Sequence, residues 1–151
     1  MPDFKVSYEE LACFVCGPNN PAGFKVNFIM DGDDGIHFYI KFPSIYQGYD
    51  GIVHGGLVST VLDEVMANVF FRRGIDCLTT EIKVRFLKPV PINTDLKVVG
   101  KIVKKDSRIG IARGWIEDSQ SMVCAESEGK FLLLRNNSSE VQSRKSIEEN
   151  K

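Results

Sequence analysis

The sequence predicts an α+β fold in which a curved antiparallel β-sheet wraps around one long central helix. Three observations predict it. One segment carries a sustained helical period: Leu57, Val61, Val65 and Val69 recur every fourth residue, and Val58, Leu62, Met66 and Phe70 recur one step behind. Two segments before it and four after it are rich in β-branched and apolar residues. The connections among the last four are short turns, which implies an antiparallel meander. A single helix can cover only one face of such a sheet, and wrapping the sheet around the helix buries both apolar surfaces.

The elements follow in order. Ser7 with Glu10 at the third position can cap a short helical turn. Residues 13–23 form a loop rich in Gly, Pro and Asn. Residues 24–30 alternate, Phe24, Val26 and Phe28 against Lys25, Asn27 and Ile29, as a half-buried strand does. Residues 31–35 suit a turn with positive φ. Ile36, Phe38, Ile40 and Phe42 then alternate with His37, Tyr39 and Lys41, giving a second strand and a hairpin. Residues 43–53 are irregular. The helix runs from Gly55 to Arg73, with Gly74 as its stop and Arg72 and Arg73 in its last turn, where positive charge complements the helix dipole. Strands are expected at 79–88, 95–105, 109–117 and 123–134. From Arg135 the chain is polar and aperiodic, so one domain over 1–134 and a mobile tail over 135–151 are expected.

With 151 residues, 43% of them hydrophobic and 26% charged, the chain reads as one ordinary globular domain. A net charge of −1 gives no bulk electrostatic case for nucleic acid or an anionic membrane. No apolar run reaches the ~18 residues of a transmembrane helix, and residues 1–10 do not read as a signal peptide. Four cysteines, two of them isolated, favour a reducing compartment, and a cytoplasmic location is the expectation.

The chemistry concentrates at the helix start. A glycine-rich loop, Tyr46-Gln47-Gly48-Tyr49-Asp50-Gly51-Ile52-Val53, leads into His54-Gly55-Gly56. Asp63 follows nine residues after His54, off the apolar face, on a stripe shared with Gly55, Ser59 and Ala67. Such a helix is approached closely on both sides, by the core on one and by a substrate or another subunit on the other.

This order of elements, together with Gly51-Ile52-Val53-His54-Gly55-Gly56, Asp63, and the proline-bearing strand end Arg85-Phe86-Leu87-Lys88-Pro89, resembles the hotdog-fold acyl-CoA thioesterases of the phenylacetate-pathway type. The resemblance covers residues 13–134. It implies a homodimer, or a pair of dimers, with two active sites at the subunit interface and acyl-CoA as substrate. Carried over by position, Asp63 matches the family's general base or nucleophile, and Gly55 matches the glycine whose N–H polarises the thioester carbonyl. Thr79 matches a position that orients water. Many members carry an Asn or Gln six residues before the histidine as a second carbonyl contact. Here Gly48 stands there, with Gln47 one residue earlier. No cofactor and no metal are expected.

Elementary chemistry agrees with that assignment. A helix N-terminus has unpaired N–H groups and a positive dipole end, which suit an oxyanion, and a thiolate leaves without strong acid assistance, so one carboxylate that activates water suffices. Asp63 lies about 12 Å along the helix from Gly55, so one helix cannot bring both to one carbonyl. Two antiparallel helices about a two-fold axis can. Gly56, Val58, Leu62, Phe86 and Lys88 are the expected substrate contacts.

Plainer assignments stand beside these. Asp63 can be a solvated helix acid, Glu64 a partner of a nearby arginine or a second catalytic candidate, and Asp50 a turn residue. His54 fits a structural, loop-closing role better than proton transfer. Gly55 and Gly56 can serve tight packing alone. Lys88, Lys101, Lys104, Lys105 and Arg108 suit coenzyme A phosphates or an ordinary solvated sheet edge. Cys13 and Cys16 have the spacing of half a zinc site, but no second pair follows, and packing by small apolar thiols is the expectation. Two rival functions remain open: a hydratase or dehydratase acting on acyl thioesters, and a non-catalytic acyl-CoA-binding module.

Overall fold

The computed structural model describes residues 12–134. The capped turn expected at Ser7 and the tail expected at 135–151 lie outside the described residues. Within them the strands are β1 (Ile29–Asp31), β2 (Gly35–Ile40), β3 (Cys77–Phe86), β4 (Leu96–Lys105), β5 (Ile109–Glu117) and β6 (Val123–Leu133), with one long helix, α1 (Gly55–Phe71), and a short 3₁₀ turn at Ser44–Tyr46. The strands form one antiparallel sheet in the order β1-β2-β4-β5-β6-β3. The sheet curves around α1 in the hotdog arrangement that the resemblance implies.

Four valines of α1, at 58, 61, 65 and 69, are β-branched and only moderate helix formers. The helix is held by burial instead. Val61, Leu62, Val65, Met66, Val69 and Phe70 are fully buried and Val58 nearly so, each contributing about 1.5–3 kcal/mol on leaving water. β4 passes very close beneath. A Cβ at Gly100 would lie 2.7 Å from the Val65 carbonyl oxygen, so only glycine lets helix and strand meet there. At the other end Gly74, at φ 79°, turns the chain out of the helix. Arg72 is the C-cap residue and Arg73 follows it, so the helix ends two residues earlier than the sequence placed it. Arg73 donates to Val69 O in the last turn and to Gly32 O, Asp33 O and Gly35 O, clamping the β1–β2 turn onto the helix end.

The sequence pattern misplaced three features. The strand expected at 24–30 is formed only from Ile29. Phe24 N–H and Val26 N–H donate instead to Phe14 O and Val15 O, and Lys25 at φ 51° interrupts extended backbone. The alternation there reflects an aromatic cluster, in which Phe24 packs edge-on against Phe14, Phe42 and Tyr46. His37, expected on the solvent side of β2, is only 9% exposed, with its Nδ1 2.5 Å from Asp31 Oδ2. Finally, the last four strands are not a simple meander. β4, β5 and β6 are consecutive neighbours, but β3 crosses the sheet to pair with β6 and forms one edge.

The loop before α1 is fixed by that crossing connection. Gln47 bridges to Val53 and Ile52 to Pro91, Val53 N–H donates to Val90 O, and His54 N–H donates to Tyr46 O. The helix start is thereby tied to the segment leaving β3. The close passage beneath α1 sets a testable limit: Gly100→Ala lowers stability by about 1–3 kcal/mol, read as a lower urea midpoint with an unchanged denaturant slope.

Candidate active site

The backbone N–H groups at the start of α1 can be accounted for one by one. Leu57 and Val58 donate to His54 O, at 2.9 and 3.2 Å. Gly56 donates to the Nδ1 of the His54 ring at 2.9 Å. Gly55 N–H has no acceptor among the described residues. His54 is thus the N-cap, its imidazole standing where a serine or aspartate oxygen usually does. Accepting at Nδ1 leaves the ring proton on Nε2. The ring is thereby engaged in holding the first turn of its own helix.

Gly55 opens onto a groove of about 770 Å³. Its walls come from the glycine-rich loop (Gly48, Tyr49, Ile52), the helix start (His54, Gly55, Val58) and the end of β3 with its continuation through Lys88 and Val90. The Phe86 ring would lie 3.5 Å from a Cβ at Gly55. Lys88 projects its ammonium onto Asp118 at 2.6 Å. That bond holds the Asp118 carboxyl below its ordinary range and the lysine above its own. Asp118 also accepts from Gln120 N–H and Met122 N–H, which fixes it in the β5–β6 turn.

Asp63 sits elsewhere on the helix. Thr79 donates its hydroxyl to Asp63 Oδ1 at 2.8 Å. The register of β3 against β6 shifts between Thr79 and Glu81, a bulge that turns the Thr79 hydroxyl toward the helix while Thr80 donates to Lys130 O. Burial pushes the Asp63 carboxyl above its ordinary pKa, and the bond from Thr79 works against that shift. The small-residue stripe therefore runs along β3: Gly55 meets Phe86, Asp63 meets Thr79, and Cys77 donates its thiol to Ala67 O.

Not every expected residue gathers here. Val58, Phe86 and Lys88 line the groove with Gly55 and His54. Leu62 is fully buried in the core, and Gly56 lies outside the groove lining, under the His54 ring. Gln47 accepts Gly51 N–H at its Oε1 and closes the loop, while Gly48 takes its place in the groove wall. Asp63 and Thr79 lie outside the groove of their own chain. Sequence reasoning missed Asp118, because nothing local marks its pairing with Lys88 across 30 positions. It also missed the surroundings of Glu64. This side chain accepts from Asn68 Nδ2 at 3.0 Å and lies against the Cys13 thiol. Burial pushes Glu64 up to about 7. Cys13 is lowered to about 5, chiefly because the Cys16 thiol donates to it.

Comparison with known proteins bears on this arrangement. A family model described as the thioesterase superfamily matches residues 50–125, half of the chain. The match spans the end of the loop from Asp50, α1 with Asp63, Thr79 and Phe86. A Saccharolobus solfataricus protein carrying an esterase name is 26% identical over 78% of this chain and 89% of its own length. A solved thioesterase-superfamily protein is 28% identical with a TM-score of 0.75, covering 80% of this chain and 60% of that one. A Streptococcus pneumoniae protein named a hypothetical thioesterase, solved with coenzyme A, shares the fold at 18% identity and TM-score 0.70, over 75% of this chain and 88% of that one.

The capping role of His54 is measurable apart from any activity. His54→Ala removes the acceptor of Gly56 N–H and costs about 0.5–2 kcal/mol of stability, whereas His54→Asn, which can still cap, recovers most of it; urea unfolding of the two variants reads the difference.

Proposed function

The chain belongs to the thioesterase superfamily and is a thioester hydrolase, and from that premise we propose that it hydrolyses acyl-CoA, R–CO–S–CoA, to a carboxylic acid and free coenzyme A within a homodimer. The observation that carries the proposal is the Gly55 N–H, which has no acceptor among the described residues, stands at the end of a helix dipole and opens onto an apolar-walled groove. A thioester carbonyl seated against it gains a hydrogen bond that strengthens as the oxygen becomes an oxyanion. The neighbouring His54 Nε2–H is a second donor on the same wall.

Asp63 is the base of this scheme. Its carboxylate takes a proton from water, the hydroxide adds to the carbonyl carbon, and the tetrahedral intermediate expels the thiolate, which recovers the proton from Asp63. Thr79 is a positioning residue, holding one carboxylate oxygen so that the other faces the water. Because Asp63 and Gly55 of one helix are about 12 Å apart, the acid acts on a carbonyl held by the Gly55 of a second copy.

The edge of the sheet supports the dimer. β3 is ten residues long and lies at the edge, where Leu78, Ile82 and Phe86 remain 39%, 36% and 57% exposed. A long apolar edge of this kind is a template for pairing with another chain. Pairing two copies through β3 continues the sheet and sets the helices antiparallel. The coenzyme A bound to the Streptococcus pneumoniae thioesterase and the Lys88 ammonium at the groove support coenzyme A as the carrier. Among the described residues no helix is long and apolar enough to cross a membrane, and the free thiols fit a reducing, cytoplasmic setting. Against a hydratase stands the engagement of His54 Nδ1 with the helix start, which leaves that nitrogen unable to take a proton from substrate.

Two measurements test the proposal. Thiol release from a panel of acyl- and aryl-CoA thioesters should show turnover by the wild type and a fall in kcat of ~10²-fold or more for Asp63→Asn with the oligomer intact; a protein that binds these thioesters without releasing thiol is a binding module instead. Placing a charge on the β3 edge with Ile82→Lys should convert the dimer to a monomer in light scattering and abolish thiol release together with it, while a folded, fully active monomer would refute the shared site.

A further inference from the structure

A cluster that the hydrolytic scheme leaves unused lies on the other side of α1, and its members come from distant parts of the chain. Cys13 and Cys16 belong to the loop before β1, and Glu64 belongs to the helix, 51 positions after Cys13. Their ligand atoms all lie within 4.8 Å of one another. The Cys13 sulphur is 3.5 and 3.6 Å from the two Glu64 oxygens. A tetrahedral zinc ion, with bonds of about 2.3 Å to sulphur and about 2.0 Å to oxygen, separates such a pair by about 3.5 Å.

The surroundings shape the cluster for a cation. Gly17 N–H donates to Cys13 O at 2.9 Å, and a Cβ at Gly17 would lie 2.3 Å from Cys13 N. Only glycine allows a turn this tight, and it brings both thiols to one side. Val15 N–H points at the Cys13 sulphur at 3.4 Å, a contact that stabilises a metal-bound thiolate. On the helix, Asn68 holds Glu64 Oε1 through its amide, and Arg72 donates to Asn68 Oδ1 at 3.1 Å. This relay fixes the carboxylate from behind while its other face meets the sulphurs. Cys16 is buried and Cys13 and Glu64 are half-buried, so the cluster is partly shielded from bulk water. A disulfide would need only the two cysteines. The oriented carboxylate set against them is what a metal site requires.

We propose that Cys13, Cys16 and Glu64 bind one zinc ion per chain, joining the loop before β1 to α1. Two thiolates and a carboxylate are a donor set suited to zinc, and three protein ligands leave a fourth position for water. On binding, the two thiols release their protons to solvent as sulphur–zinc bonds form. The expectation from sequence that no metal is held is thereby revised, because the third ligand is separated from the cysteine pair by most of the fold's first half. The proposal is independent of the hydrolytic reading.

The full chain, purified in reductant and stripped of metal, is titrated with zinc, then with cobalt(II), and bound metal is measured after gel filtration. The expected result is one zinc per chain, and for cobalt a thiolate-to-metal charge-transfer band with the intense visible bands of tetrahedral coordination. Cys13→Ser and Cys16→Ser lose both signals. Asn68→Ala, which removes the bond that orients Glu64 and leaves all three ligands in place, weakens zinc binding by about 10–100-fold. Thermal melting checks that each variant is folded; if a serine variant is not, the wild-type cobalt spectrum alone decides. The proposal is overturned if the reduced wild type takes up no zinc and gives no charge-transfer band, or if folded serine variants bind as tightly as wild type. A Cys13–Cys16 disulfide, seen as a loss of two mass units in protein whose reduced form refuses zinc, overturns it in favour of a redox pair.

Discussion

A helix with its side chains is about 10–12 Å across, whereas six strands spaced about 4.8 Å apart span roughly 24 Å. A single helix therefore leaves part of the sheet's inner face uncovered, even when the sheet curves. In this chain the shortfall falls on one edge. The large residues of α1 pack where the sheet is β4, β5 and β6, with Val65 on Gly100 and Met66 and Phe70 over β5 and β6. Toward β3 the helix offers only Gly55, Ser59, Asp63 and Ala67. Small residues bring the helix near the strand without filling the space between them, so Ile82 and Phe86 stay exposed beside it. The groove and the uncovered edge both follow from this mismatch in width.

The same geometry explains why an unpaired backbone donor is left at the helix start. The loop that delivers the chain to α1 is pinned to the β3–β4 connection by two isolated bridges and the Val53–Val90 bond. His54 completes the pinning by capping Gly56. Once these acceptors are assigned, one backbone N–H at the helix start is left over among the described residues, that of Gly55, which Phe86 faces. A donor fixed by backbone needs no reorganisation when charge develops on a bound oxygen, and a water-poor setting enhances its effect.

Much of this was legible in the sequence, for reasons that differ by element. The period of α1 is a local property, and its heptad-spanning stripe of valine, leucine and methionine marks both its length and its buried face. Gly74 and the Gly-rich loop are equally local. What failed was pairing and environment. A short connection after β3 favours β4 as its neighbour, but the Leu87 and Lys88 amides donate to Cys124 O and carry the chain across the end of the sheet. Residues 24–30 alternate because their aromatic rings pack among themselves, which imitates the period of a strand. The roles of Asp118 and Glu64 depend on partners 30 and 51 positions away, and no local pattern encodes such meetings.

Asp63 and Glu64 make the last point most sharply. They are neighbouring acids on one helix, chemically almost equivalent, and successive residues point about 100° apart. One faces the Thr79 hydroxyl at the open edge; the other faces two thiols beneath the loop. Burial raises the carboxyl pKa of both, so desolvation alone does not separate their roles. The rotational setting of α1 does. It is fixed by the buried face from Val58 to Phe70, by the His54 cap at one end and by the Arg73 clamp at the other. A turn of one residue would set the bulkier Glu64 against β3 and bring Val65 out of its seat over Gly100. Which acid faces the open edge, as the proposed hydrolysis requires, is therefore decided by side chains remote from that edge.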